Sequence, residues 1–237
     1  MLAPSAVHYL PILTTLLSAV FAVVVLRRYH ARGGTHLLWW GLGIFAYGAG
    51  TLTESLTTLF GWQEGVFRAW YITGALLGGA PLAQGTAYLL FPRRLAHASA
   101  ALLSLAIAAA AVAVLRAPVD ASLSEAYRLS GAVFTTQEVR MYSPFINAYA
   151  AIVLIGGAIV SAVRWAGVAG QRHRMWANVA IAIGAILPGI GGASARFGHV
   201  EVLYVTELLG LLLIAWGFAL STRERSAPSP AMQGAAG

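Results

Sequence analysis

Apolar residues run through the chain in seven blocks, broken each time by a short polar, glycine- or proline-containing stretch. The blocks are 8–27, 37–60, 67–91, 98–115, 144–165, 175–195 and 201–221. Each has about the 20 predominantly apolar residues that a helix needs to cross the hydrocarbon layer of a membrane. They fill residues 1–221 and leave no room for a second folded domain. The predicted fold is therefore an all-α integral membrane protein of seven transmembrane helices. Residues 222–237, "TRERSAPSPAMQGAAG", are small, polar and proline-rich, a composition that predicts a disordered tail.

Within the second block the pattern changes. Trp40, Tyr47, Thr51, Glu54 and Thr58 recur at steps of seven, four, three and four, so they share one helical face. A polar stripe with an ionisable residue in it is expected to face the bundle interior or a wet cavity, not lipid. Glu207 repeats the motif in the seventh block, with Tyr204 one turn away. Two carboxylates on separate helices are thus expected at similar depth. Arg68 lies as far after Gly61 as Glu54 lies before it, which makes it the expected mate of Glu54 across a hairpin. Arg196 is the comparable neighbour for Glu207.

The expected arrangement is an outward-facing polar chamber walled by Glu54, Glu207, Arg68, Arg196, Tyr71 and Tyr204, with Tyr47 and Thr51 on the same stripe. Gln84 and Tyr88 share a face deeper on the third helix and would extend the chamber inward. Two roles fit this set: buried ion pairs that pin helix hairpins, or a ligand- and proton-binding site.

Charge orients the bundle. All 15 basic residues are arginine, and there is no lysine. Arg27, Arg28, Arg32, Arg93, Arg94, Arg164, Arg172, Arg174, Arg223 and Arg225 fall on one side. Arg68, Arg116, Arg128, Arg140 and Arg196 fall on the other, along with most of the acids. The positive-inside rule places the arginine-rich side, and with it the C-terminus, in the cytoplasm and the N-terminus outside. The start, "MLAPSAVHYL", lacks a basic leader, so the first block is expected to be a retained helix. A bacterial-type plasma (inner) membrane is the expected location. The arginines then imply an anionic lipid leaflet as partner rather than a nucleic acid.

Short signatures recur in order. "HYLPI" and "MYSPF" open the first and fifth blocks, "HLLW" and "HRMW" the second and sixth, and "WYITGALL" and "LYVTELLG" the third and seventh. They predict a 3+1+3 parallel duplication, 8–91 and 144–221, with 98–115 as linker helix. In architecture this resembles the SWEET-type sugar transporters and their PQ-loop relatives. That resemblance implies a binding site between the halves and helix-breaking prolines around it; Pro11, Pro144 and Pro188 stand in spans, but Thr51 occupies the position matching Pro188. The helix count also resembles microbial rhodopsins. Without lysine, a retinal Schiff base is excluded.

Other chemistry finds little support. With no cysteine there is no thiolate or disulfide chemistry. The six histidines, near the helix ends, lack the i, i+4 spacing of a helical metal site. No catalytic triad order or phosphate-binding loop occurs, so no catalytic residue, metal or cofactor is expected. Ser122-x-x-Glu125 and Thr135-x-x-Glu138 fit capping boxes and predict short helices in the long connection 116–143, either a lid or a surface cap. The functional expectation is a small-solute or lipid binding or transport protein, with proton linkage as one option, of unidentified ligand and oligomeric state. The alternatives are a sensor or assembly subunit and, third, an intramembrane enzyme with a glutamate acid/base.

Overall fold

The computed structural model describes residues 5–125 and 127–222, and it is helical almost throughout. Seven helical rods follow one another: α1 (Ala6–Arg32), α2 (Thr35–Phe60), α3 (64–90), α4 (Arg93–Arg116), α5 (Glu138–Ala166), α6 (Arg172–Arg196) and α7 (Val200–Thr222). Each of the seven overlaps its expected block. The expected disordered tail falls, from residue 223 on, outside the described residues.

Five of the rods, α1, α4, α5, α6 and α7, are long and apolar enough to cross a membrane. The other two depart from that standard for a physical reason. α2 buries Gly41, Gly43, Gly48, Gly50, Thr51, Thr53, Glu54, Ser55, Thr57 and Thr58, and so trades hydropathy for close contact and hydrogen bonding. α3 is not one continuous helix. Its first turns, Glu64–Trp70, pass into a π-helical turn, Tyr71–Leu76, and the helix then breaks before resuming at Ala80–Leu90 with Pro81 in its first turn. The break at 77–79 leaves carbonyls of the preceding turn without their helical partners. The Ala75 carbonyl is taken instead by side chains of α5, from Ser143 Oγ and Asn147 Nδ2, each at 3.1 Å.

The connections 33–34, 91–92 and 167–171 lie at one end of the bundle, the arginine-rich end. The long connection 117–137 lies at the other, here termed the capped end. At the arginine-rich end, Arg174 stacks over the Trp165 ring at 4.6 Å. The expected short helices in the long connection are two 3-10 turns, Ala121–Leu123 and Gly131–Val133. Their caps differ from those expected: Asp120 and Ser130 accept from the backbone, while Ser122 serves as a donor to Asp120. Thr135 does not cap α5, which starts at Glu138, six residues ahead of the expected block and with Pro144 inside it.

Two cores organise the interior. Toward the arginine-rich end, Phe21 and Val25 of α1, Trp40 and Ile44 of α2, Leu82 of α3, Leu154 of α5, Ile181 of α6 and Phe218 of α7 form one cluster. Toward the capped end, Phe67 and Tyr71 of α3 pack with Val114 of α4, Ile146 of α5, and Leu129, Val133 and Phe134 of the connection. In lipid the association of helices gains little from the hydrophobic effect, so shape complementarity matters more. α6 and α7 cross at glycines. A Cβ at Gly210 would come 2.6 Å from the Gly184 carbonyl oxygen, and one at Gly184 would come 2.7 Å from that of Gly210.

Gly210→Ala is therefore expected to force the pair apart and to destabilise the protein by about 1–3 kcal/mol, the usual cost of overpacking. Gly192→Ala, with nothing within 4 Å of the new methyl, should be neutral. Reversible unfolding in mixed detergent micelles reads both, and equal stability of the two variants would contradict the crossing.

Candidate functional site

The stripe on α2 is where the interior becomes polar. Each of its groups reaches a different neighbour. Tyr47 donates its hydroxyl to the Glu207 backbone carbonyl of α7 at 2.9 Å. Thr51 shares a hydrogen bond with Thr15 of α1 at 2.9 Å. Glu54 accepts at Oε1 from Trp70 Nε1 of α3 at 3.1 Å. Thr58 donates to the His8 carbonyl at 3.1 Å. One helical face thus ties α1, α3 and α7 to α2.

The carboxyl groups of Glu54 and Glu207 meet inside this frame, within hydrogen-bonding reach of one another. Glu54 is 3% exposed. Glu207 is half-buried along its stem, but its Oε2, like that of Glu54, is sealed from solvent and has no hydrogen-bond partner among the described residues. A carboxylate only accepts hydrogen bonds, so two carboxyls can bond to each other only when one carries a proton.

The arginines expected beside these acids are elsewhere. Arg68 binds Glu64, one turn back on its own helix, through Nε at 2.9 Å and Nη2 at 2.8 Å. It also donates to the Val114 and Ala117 carbonyls at the end of α4. The terminal carbonyls of a helix lack intrahelical partners and attract cations, and this local competition outweighs a reach across the hairpin to Glu54. Arg196 is exposed at the end of α6 and makes no ion pair with Glu207 among the described residues. Among the described residues, Arg68 pairs with Glu64, Arg128 with Glu125 at 2.6 Å and His8 with Glu201 at 3.8 Å, and no ion pair with Glu54 or Glu207 is seen among them.

Above the pair, toward the capped end, the interior is roofed. Tyr204, 2% exposed, donates to the Tyr127 carbonyl at 2.6 Å. The His8 ring stands edge-on to Tyr127 at 5.2 Å and to Tyr204 at 6.1 Å. Tyr127 has φ of 62°, the left-handed region that a tyrosine rarely occupies. His8, placed at an interface by the sequence, is instead buried, and its ring bonds Ser5 Oγ at 2.8 Å. Tyr71 faces the connection, edge-on to Phe134 at 4.9 Å.

Below the pair, Ile44, Leu211 and Ile214 belong to the apolar core. Gln84 and Tyr88 do not extend the polar site. Gln84 is fully buried in a separate network, accepting from Tyr149 at 2.6 Å and donating to the Ala96 carbonyl at 2.9 Å and to Ser99 at 3.2 Å. Tyr88 pairs with His97 at 2.9 Å. These are bonds between α3, α4 and α5. Among the described residues no cluster of three or more His, Asp or Glu is placed to hold a metal ion.

A scan against protein-family models and searches of curated proteins and of solved structures found no match to this chain. The residues must speak for the site. Trp70, Thr15 and His8 were not expected in it. Trp70 had a faint signal, since it directly precedes Tyr71 at the start of a helix facing α2. His8 and Thr15 had none, because only the folding of α1 against α2 brings them there.

Trp70→Phe removes the indole donor from the Glu54 carboxyl, and about 1–3 kcal/mol of stability should go with it. Tyr47→Phe should cost less, about 0.6 kcal/mol, the mean for an interhelical bond in a membrane. Unfolding in micelles measures both, and the reverse order would contradict the placement of Trp70. In the cap, the Ser122 hydroxyl and N–H hold the Asp120 carboxyl below its ordinary 3.8. A depressed carboxyl stabilises its turn above the unfolded value and loses that contribution as pH falls through the lower folded value. Amide exchange at 121–123 should thus be unaffected by protonation of Asp120 at neutral pH and show loosening only below about 3.8. Loosening already near neutrality would contradict the capped turn.

Proposed function

We propose that this integral membrane protein binds a proton on the Glu54–Glu207 pair and links it to binding of a small solute or lipid at the capped end. The observation behind this reading is the pair itself: two carboxyls from α2 and α7, in contact, without a cation and with both Oε2 atoms unpartnered. Burying such groups is costly, and intramembrane acids of this kind mark proton relays and solute paths. The arginine bias supports a capped end facing outward and a cytoplasmic arginine-rich end, in a bacterial-type plasma membrane with anionic lipid against the arginines. The parallel two-trio organisation belongs to this reading, because it assigns α2 and α7 to opposite halves and makes the pair a site between them.

A second reading, a sensor or assembly subunit, draws on a separate observation. The apolar layer of Ile44, Leu211 and Ile214 lies under the pair, and the polar group beyond it, Gln84, is engaged by Tyr149, Ser99 and Ala96. A proton held above such a plug would change helix packing rather than pass through.

Infrared difference spectra of the protein in nanodiscs after an acid jump test the pair. The carbonyl band of a protonated carboxylic acid should appear in the native chain and be absent from the Glu54→Gln/Glu207→Gln double variant. Glutamine keeps the size and hydrogen-bonding capacity of each side chain, so the fold should persist. The same band in both proteins would overturn the reading. Proton flux into liposomes would then separate transport, where flux occurs and is lost in the variant, from sensing, where titration occurs without flux.

A further inference from the structure

His8 caps its own helix. It is the third residue of α1, and its ring Nδ1 lies 3.1 Å from the Ser5 backbone nitrogen and 2.8 Å from Ser5 Oγ. A backbone N–H can only donate, so Nδ1 is the accepting nitrogen and the ring proton is on Nε2. This is the return bond of a capping box, made by a neutral histidine where glutamate or glutamine is usual. On the other side of the ring, Nε2 is 3.8 Å from Glu201 Oε1 of α7. That is near enough for charge attraction and too long for a hydrogen bond. His8 is thus bonded to one partner and stands just short of another.

The residue is enclosed by three other elements. Tyr127 of the long connection and Tyr204 of α7 meet its ring edge-on, and Thr58 of α2 donates to its backbone carbonyl. Of the charged groups on these elements, Glu201 is in ion-pair range of the ring. Glu125 and Arg128, which flank Tyr127, close on each other. Glu54, one turn along α2 from Thr58, accepts from Trp70, and Glu207, one turn along α7 from Tyr204, is paired with Glu54. Tyr127 holds a left-handed backbone, φ 62°, a strained state that persists only where its surroundings fix it. Tyr204 fixes its carbonyl, and the His8 ring backs its side chain. A shift of that ring therefore acts on the roof over the carboxyl pair.

Histidine is the side chain whose charge ordinarily changes between about pH 5 and about pH 8. A proton on Nδ1 turns that nitrogen into a donor. The Ser5 N–H then loses its acceptor, and only the Ser5 hydroxyl can still bond the ring. A cation at a helix N-terminus also opposes the helix dipole, while Glu201 gains an opposite charge to attract. We propose that His8 is a pH-operated latch on the roof of the site. Neutral, it caps α1 through Ser5; protonated, it releases the Ser5 N–H and closes on Glu201 of α7. The move draws the ring edge away from Tyr127 and loosens the cap when the capped side acidifies. The inference adds regulation to the carboxyl site, and it rests on the function proposed above only for what the roof guards.

Nitrogen NMR of ring-labelled histidine and amide exchange at Ser5, in nanodiscs between about pH 8 and about pH 5, test the latch. The His8 signals are those missing from His8→Gln. At the upper pH they should show Nε2 protonated and Nδ1 bare, and at the lower pH both nitrogens protonated. Exchange at Ser5, corrected for its intrinsic pH dependence, should become about fivefold faster as the ring charges, the worth of one ordinary hydrogen bond. Glutamine is a usual capping-box residue and does not titrate, so His8→Gln should fold and keep Ser5 protected at both pH values. Glu201→Gln should move the change at Ser5 to lower pH. After an acid jump, the infrared carboxyl band should rise more slowly in His8→Gln than in the native chain. Ser5 protection indifferent to pH, a pH response that survives His8→Gln or ignores Glu201→Gln, or an unaltered rate of rise would overturn the latch. A missing carboxyl band with the Ser5 response intact strikes the proton pair alone. An intact band without the Ser5 response strikes the latch alone.

Discussion

A polar group inside a bilayer must find its partner within the protein, and the interior of this bundle is arranged around that demand as it bears on Glu54. Lipid offers neither donors nor acceptors. The carboxyl is met by Trp70 from α3 and by Glu207 from α7, while Tyr47, Thr51 and Thr58 spend their own bonding capacity on α7, α1 and the N-terminal segment. The helices that enclose Glu54 are those its stripe bonds to. Removing the stripe would leave α2 a glycine-rich rod with little to specify which neighbours it takes.

The same demand explains the irregular backbone. α3 winds into a π-turn and breaks near Pro81, and the Ala75 carbonyl finds Ser143 and Asn147 on α5. The α4 terminus exposes carbonyls and finds Arg68. In each case a backbone group left over by local geometry recruits a polar side chain from the next helix. This recruitment is why Arg68 is absent from the carboxyl pair: a helix end and an acid one turn away hold it more directly than Glu54 could. The pair is left without a cation among the described residues.

The layers follow one another in order along the bundle. The cap places Tyr127, Tyr204 and His8 over the pair, and an apolar layer closes it beneath.

Much of the architecture was legible in the chain alone. Seven apolar blocks name the seven rods, because hydropathy is a local property and lipid tests it residue by residue. The 3.6-residue period showed that Tyr47, Thr51, Glu54 and Thr58 share a face, and that face is where the interior bonds converge. The partners were not legible. That Arg68 prefers Glu64 and the α4 carbonyls, that Gln84 belongs to Tyr149, and that His8 lies buried beneath the cap depend on which helices touch. Periodicity reports which way a side chain points on its own helix but not what stands opposite. Only tertiary packing, through close crossings such as Gly184 on Gly210, brings distant segments together and decides which of several possible partners each polar group receives.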